Sequence, residues 1–371
     1  MIDKQKPISW LREAPGTVVV CALIGLFTFT TVLSRRYLDL QTTRAQRFFR
    51  RGQQLDRSGQ TAQAVEQYRN ALAISRGNRE YTMAVAVDLM REGFTGEAEL
   101  YFEELLRDRP ADALANLMLA RIAMKRGQTD TAIDYYNRAI YGRWPADTDE
   151  SRIRTRWELV DALRKTNRHP ELVAELLQIS SDEPDNQEDR TKAAEMLLQA
   201  GAADQASKLF RELLQEGART RPVYAGYGES LLATGDYLGA RNALTRAWAA
   251  DPSDQAVHDK LTLVESALAL NPLARDASVT ERYTRSRALL ERVIAAMKSC
   301  GATAPPPPAA DQLAKAEQSL TARSGFRNLQ EVTDQHVSMA EQLWNARRDF
   351  CGNAVPGDDA LQLAMRQLSH Q

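Results

Sequence analysis

The sequence holds few residues whose types and spacing suit covalent or metal chemistry. Its three cysteines, Cys21, Cys300 and Cys351, lack metal-ligand spacing, and His169, His258, His336 and His370 are scattered without co-ligands. No phosphate-cradling glycine loop, HExxH, nucleophile elbow or Cys-x-x-Cys pair is present. Paired carboxylates abound, as on any solvated helix. His336 shares a helical face with Leu329, Val332, Met339 and Leu343, which makes it a core or edge histidine before a ligand or base. The chemistry that spacing does support is a disulfide. Cys300-Gly301 and Cys351-Gly352 each sit where a helix should end. If the three helices of that segment alternate in direction, the first and third finish together and bring the two sulfurs within bridging range. Two free buried thiols are the competing reading. No catalytic residue, cofactor or metal is expected.

What must position these residues is an all-α chain. Strand-like alternation is almost absent, whereas 3.6-residue periodicity recurs from Ala45 onwards. At 371 residues there is length for two to three domains, and a net charge of −1 excludes nucleic-acid binding by bulk electrostatics.

Residues 45–254 read as one 34-residue unit written six times, starting at Ala45, Arg79, Ala113, Ile153, Gln187 and Arg221. Position eight reads Gly52, Ala86, Ala120, Val160, Ala194 and Gly228. Position twenty reads Ala64, Ala98, Ala132, Leu172, Ala206 and Ala240, and position twenty-four Tyr68, Phe102, Tyr136, Leu176, Phe210 and Leu244. Small residues at eight and twenty let antiparallel helices approach closely, and the large residue at twenty-four fills the gap against the next pair. Asp147 to Arg152 breaks the spacing as a six-residue insertion. The pattern resembles the tetratricopeptide repeat. The resemblance implies a right-handed α-solenoid of six helix pairs with a concave groove that binds other proteins or peptides, and it implies no chemistry. Residues 255–272 supply a capping helix with a polar outer face.

In the family the groove is lined mostly by the first helix of each pair. Carried onto this chain, those positions include Met83, Val87, Met90, Leu114, Leu117, Met118, Arg121 and Met124. Four of the nine methionines thus fall on one expected surface, and flexible, polarisable methionine suits an apolar partner helix or peptide. Packing on the chain's own N-terminal helix, or an ordinary core role, are the alternatives. The fourth and fifth copies carry mixed charges, among them Arg154, Glu158, Asp161 and Lys192, and read as solvated. Phe49, Gln53, Ala84, Leu114 and Met118 stand where some family members carry a carboxylate-binding constellation, so that mode is not supported.

After a short tail, residues 1–15, the stretch 16–34 reads as a single transmembrane helix contacting the lipid bilayer. Its apolar run from Gly16 to Leu33 spans roughly 27 Å, close to a bilayer's hydrocarbon thickness. Trp10 flanks it on one side and Arg35, Arg36 and Tyr37 on the other, and no small-x-small cleavage site follows. The cations after the span lean towards repeats in the cytoplasm, whereas a short basic tail before a long apolar run is the usual layout of an exporting anchor.

Beyond the repeats, residues 278–371 should form a small helical bundle with a proline-rich connector at 303–308. Ser278 and Glu281 form a capping box for its first helix. The expected function is a membrane-anchored scaffold or adaptor, placed by family analogy in a bacterial envelope assembly or secretion process at the inner membrane. A Cys300–Cys351 bond favours the extracytoplasmic side. The alternatives are a cytoplasmic-face receptor for apolar or amphipathic segments and, remotely, an enzyme with a site hidden in the bundle.

Overall fold

The computed structural model describes residues 14–144, 149–182, 185–299, 306–322, 328–351 and 358–369, with side chains from residue 20 onward except 149 and 307. Among the described residues there are seventeen α-helices and no strand beyond one isolated bridge, Asp112 to Arg143. The chain divides into two compact units, Met1–Arg168 and His169–Gln371.

The first unit contains α1 (Ala14–Arg57), α2 (Thr61–Ile74), α3 (Arg79–Arg91), α4 (Thr95–Asp108), α5 (Ala113–Lys125), α6 (Thr129–Ile140) and α7 (Asp149–Lys165), each packed on the next. The second contains α8 (His169–Asp182), α9 (Gln187–Gln199), α10 (Ala203–Gln215), α11 (Arg221–Thr234), α12 (Tyr237–Ala250) and α13 (Gln255–Ala269), followed by α14 (Val279–Lys298), α15 (Pro307–Thr321), α16 (Leu329–Cys351) and α17 (Asp359–Leu368). In the repeats, α3, α5, α9 and α11 begin where the 34-residue ruler starts a copy, and α13 begins at the next mark. For α3, α5, α9 and α13 the last residue of the preceding copy explains this. Asn78, Asp112, Asn186 and Asp254 each accept a hydrogen bond from a first-turn amide of the following helix, satisfying donors that the helix itself cannot.

All residues at positions eight, twenty and twenty-four are buried in all six copies. Position eight packs on twenty-four within a hairpin: a Cβ on Gly228 would lie 2.7 Å from Leu244 Cγ, and one on Gly52 would run into the Tyr68 ring. Position fifteen makes the turn inside each hairpin and needs positive φ every time. Gly59, Gly93, Gly127, Gly201 and Gly235 supply it, and Asn167, at φ 55°, takes that place in the fourth copy.

Three sequence expectations change. The stretches 16–34 and 45 onwards are not separate elements: α1 is one helix of 44 residues, about 66 Å long. Nothing between Arg35 and Ala45 breaks it, since no Gly or Pro intervenes and Thr42 and Thr43 return their hydroxyls to the Asp39 carbonyl. Helix α13 does not present a free polar outer face, because α17 packs against it and Leu363 joins the cluster around Val257, Leu261 and Val264. Nor are the prolines only a connector. Pro306 caps α15 and Pro307 opens it, where a fixed φ and a missing N–H cost nothing. Helices α14, α15 and α16 then pack together around Leu289, Leu290, Val293, Ala340 and Leu343.

Among the described residues, no helix is long and apolar enough to cross a membrane. The side chains at 16–19, where the expected span begins, lie outside the described set.

Candidate functional site

The row expected to line a groove lies on α3 and α5 in the first unit. Met83, Val87, Met90, Leu114, Met118, Arg121 and Met124 are half-buried. Met83, Val87, Met90 and Met118 rest their inner sides on the cluster formed by α1 to α5, which includes Phe49, Tyr68, Val85 and Leu89. Leu117 differs. It is only 5 % exposed and faces the core, because on α5 it falls between Ala113 and Ala120 on the buried stripe. It offers a partner no surface.

Arg121 is also committed within the chain. Its Nε donates to Glu158 Oε2 at 2.9 Å and its Nη2 to Glu158 Oε1 at 2.6 Å, while Nη1 lies 3.7 Å from Met118 Sδ. The bond to Glu158 raises the Arg121 pKa further, and burial followed by the Glu158 charge pushes Tyr136 up to about 12. Glu158 therefore braces α5 to α7 instead of being merely solvated. Arg154, Asp161 and Arg164, by contrast, form ion pairs within α7.

The concave end of the row is a recess of about 410 Å³ between α1 and α3. Phe49, Met83, Ala84 and Val87 give it an apolar lining, with Phe49 held by tilted ring contacts to Tyr68 at 5.3 Å and Tyr81 at 4.7 Å. Asp88 lines it too, although only 2 % exposed. Arg91 Nη1 donates to Asp88 Oδ1 at 3.0 Å and to Asp56 Oδ1 at 2.7 Å. Burial, and then the Asp56 charge, push the Asp88 carboxyl up to about 6. The sequence reading missed this carboxylate. Its signal was present, since Asp88 follows Tyr81 and Val85 at the i, i+4, i+7 spacing of a buried stripe.

Residues 83–148 and 197–264 match family models of the tetratricopeptide repeat. These two segments carry tetratricopeptide repeats. No curated protein matches it. Among solved structures, the repeats are similar to YrrB, described as a tetratricopeptide-repeat protein with an unusual peptide-binding site, at 14 % identity and a TM-score of 0.39, over 52 % of this chain and 96 % of that one. MamA is similar at 16 % identity and 0.38, over 47 % and 93 %. PilW, described as a widely conserved type IV pilus biogenesis factor, is similar at 14 % and 0.35, over 60 % and 98 %.

In the second unit, His336 is 1 % exposed between α14 and α16, with Nδ1 3.3 Å from Ser286 Oγ and the ring stacked on Tyr283 at 5.8 Å. Burial, followed by the Arg287 charge, lowers its pKa. It is a core histidine. Cys21 is free and exposed, and Cys351, which ends α16, is disulfide-bonded. Cys300 lies outside the described residues. Among the described residues, no group of three His, Cys, Asp or Glu side chains is placed to hold a metal ion.

Proposed function

We propose that this tetratricopeptide-repeat protein is a membrane-tethered scaffold that gathers protein partners, in a bacterial envelope assembly or secretion process. The observation that carries the scaffold reading is the half-buried methionine and valine row on α3 and α5, ending in the apolar recess beside Phe49. Methionine side chains anchored on the core yet open on one side can reshape around an apolar partner segment.

The tether rests on the sequence from Gly16 to Leu33 and on the exposure along α1. Ile24, Phe27, Phe29 and Leu33 are each more than half exposed, on different sides of the helix. A helix that is apolar all round and unpacked suits lipid better than water. A Cys300–Cys351 pairing supports placing the scaffold on the extracytoplasmic side of the inner membrane. Arg35 and Arg36, just after the apolar run, favour the second reading, a receptor on the cytoplasmic face.

Alkaline carbonate washing tests the tether: the full chain stays with the membrane, and a soluble form beginning near Ser34 contradicts it. For the scaffold, replacing Met83, Met90, Met118 and Met124 with Gln should abolish partner co-purification while melting changes little. Unfolding of the variant would show the row to be core.

A further inference from the structure

Two carboxylates and one guanidinium meet in the lining of the α1–α3 recess. Arg91 divides its hydrogen bonds between Asp56 and Asp88, and the second oxygen of Asp88, Oδ2, is buried with no hydrogen-bond donor. Ion pairing elsewhere does not relieve this. Arg79, at the edge of the recess, is engaged with Asp112, to which its Nε donates at 2.7 Å. Three carboxylates, Asp56, Glu80 and Asp88, then face two guanidiniums, Arg57 and Arg91, around an apolar lining. Buried acceptors are ordinarily satisfied, and one left open beside a cavity marks where a donor is expected.

Deepening the scaffold reading, on which this inference rests, we propose that the recess takes a lysine or arginine side chain carried on an apolar partner segment, its aliphatic stem lying along Phe49, Met83 and Val87 and its cationic head bonding Asp88 Oδ2. The stem of either residue buries well against apolar surface, and its head brings donors and a positive charge together. A purely apolar segment would cover Asp88 and leave Oδ2 without a donor. The carboxyl is pushed up by burial to about 6, so the attraction weakens in mild acid. The other charged or titratable groups facing Asp88 are Asp56 and Arg57 on α1, Tyr68 on α2, and Arg91 and Glu92 at the end of α3. Arg57 is exposed at the rim.

The test is selection of a displayed library of random 15-residue peptides on the full chain in nanodiscs. Selected peptides should combine apolar residues with one essential Lys or Arg. Changing that residue to norleucine should weaken binding about tenfold on the wild type and leave it unchanged on Asp88→Asn, with the wild-type preference shrinking between pH 7 and pH 5. Binding of the norleucine peptide to Asp88→Asn at least as tight as to the wild type shows that the variant keeps the groove folded. Apolar peptides without an essential basic residue, or a basic residue indifferent to Asp88→Asn, would overturn the inference and leave the groove standing. Peptides indifferent to the Met83→Gln, Val87→Gln double variant would overturn both.

Discussion

Arg121 on α5 and Glu158 on α7 are joined by two hydrogen bonds, 2.9 and 2.6 Å, across 37 residues of sequence. A charged residue expected to greet a partner is thereby bound to the chain's own next hairpin. Glu158→Ala leaves a half-buried guanidinium without its acceptor and should destabilise the first unit by about 1–2 kcal/mol. Arg121→Met should cost less, because it removes the charge along with the need for a partner. A double-mutant cycle in urea checks this, and additive effects would deny the coupling.

The hairpin turns give a prediction about the backbone alone. A Cβ on Gly235 meets nothing within 4 Å, yet φ there is 90°. Gly235→Ala should therefore cost about 1–2 kcal/mol through conformation alone. Asn167→Gly should be neutral or mildly stabilising, since Asn already tolerates the left-handed region. Thermal melts of the two variants should move in these different directions.

Much of this fold was legible because one ruler repeats. Small residues at positions eight and twenty in five of the six copies, with the large residue at twenty-four, set each hairpin, and Asn78, Asp112, Asn186 and Asp254 fixed where helices begin. The α1 junction was not legible: hydropathy separates an apolar run from a repeat, whereas the helix ignores that division because no residue between them interrupts its hydrogen bonds. The groove was half legible. Repeat position put Met83, Val87 and Met118 on one surface, but it could not show that Leu117 turns inward or that Arg121 finds Glu158. Asp88 was hidden by its type, since a carboxylate reads as solvated until its neighbours bury it.

Cys351 is disulfide-bonded, and we propose Cys300 as its partner. The closed loop would hold about 50 residues and contribute on the order of 4 kcal/mol in the chain-entropy model. Alkylation before lysis should leave both thiols unlabelled, and reduction should lower the melting of the α14–α16 bundle. Two labelled thiols would remove the bond and, with it, the main support for extracytoplasmic placement.

His336 gives the bundle a pH dependence of known sign. Its folded pKa lies below the ordinary histidine value, so the unfolded chain takes up the proton first. Its contribution to stability is fully present above about pH 6.5 and declines as the pH falls through that value towards the folded pKa. Urea midpoints should drop between pH 7.5 and pH 5.5, and by less in His336→Gln. An unchanged drop in that variant would assign the effect to other groups.

The central claim is that the α3–α5 row is a surface on which another protein docks. Site-specific photo-crosslinking measures this most directly, with a benzophenone amino acid at Val87, at Met118 and, as a control, at the exposed Glu104 on α4. The account predicts that adducts at Val87 and Met118 map by mass spectrometry to one apolar segment of a single partner, and that Glu104 yields none. Adducts of Val87 confined to the chain's own α1, or labelling of the same segment equally from Glu104, would contradict it.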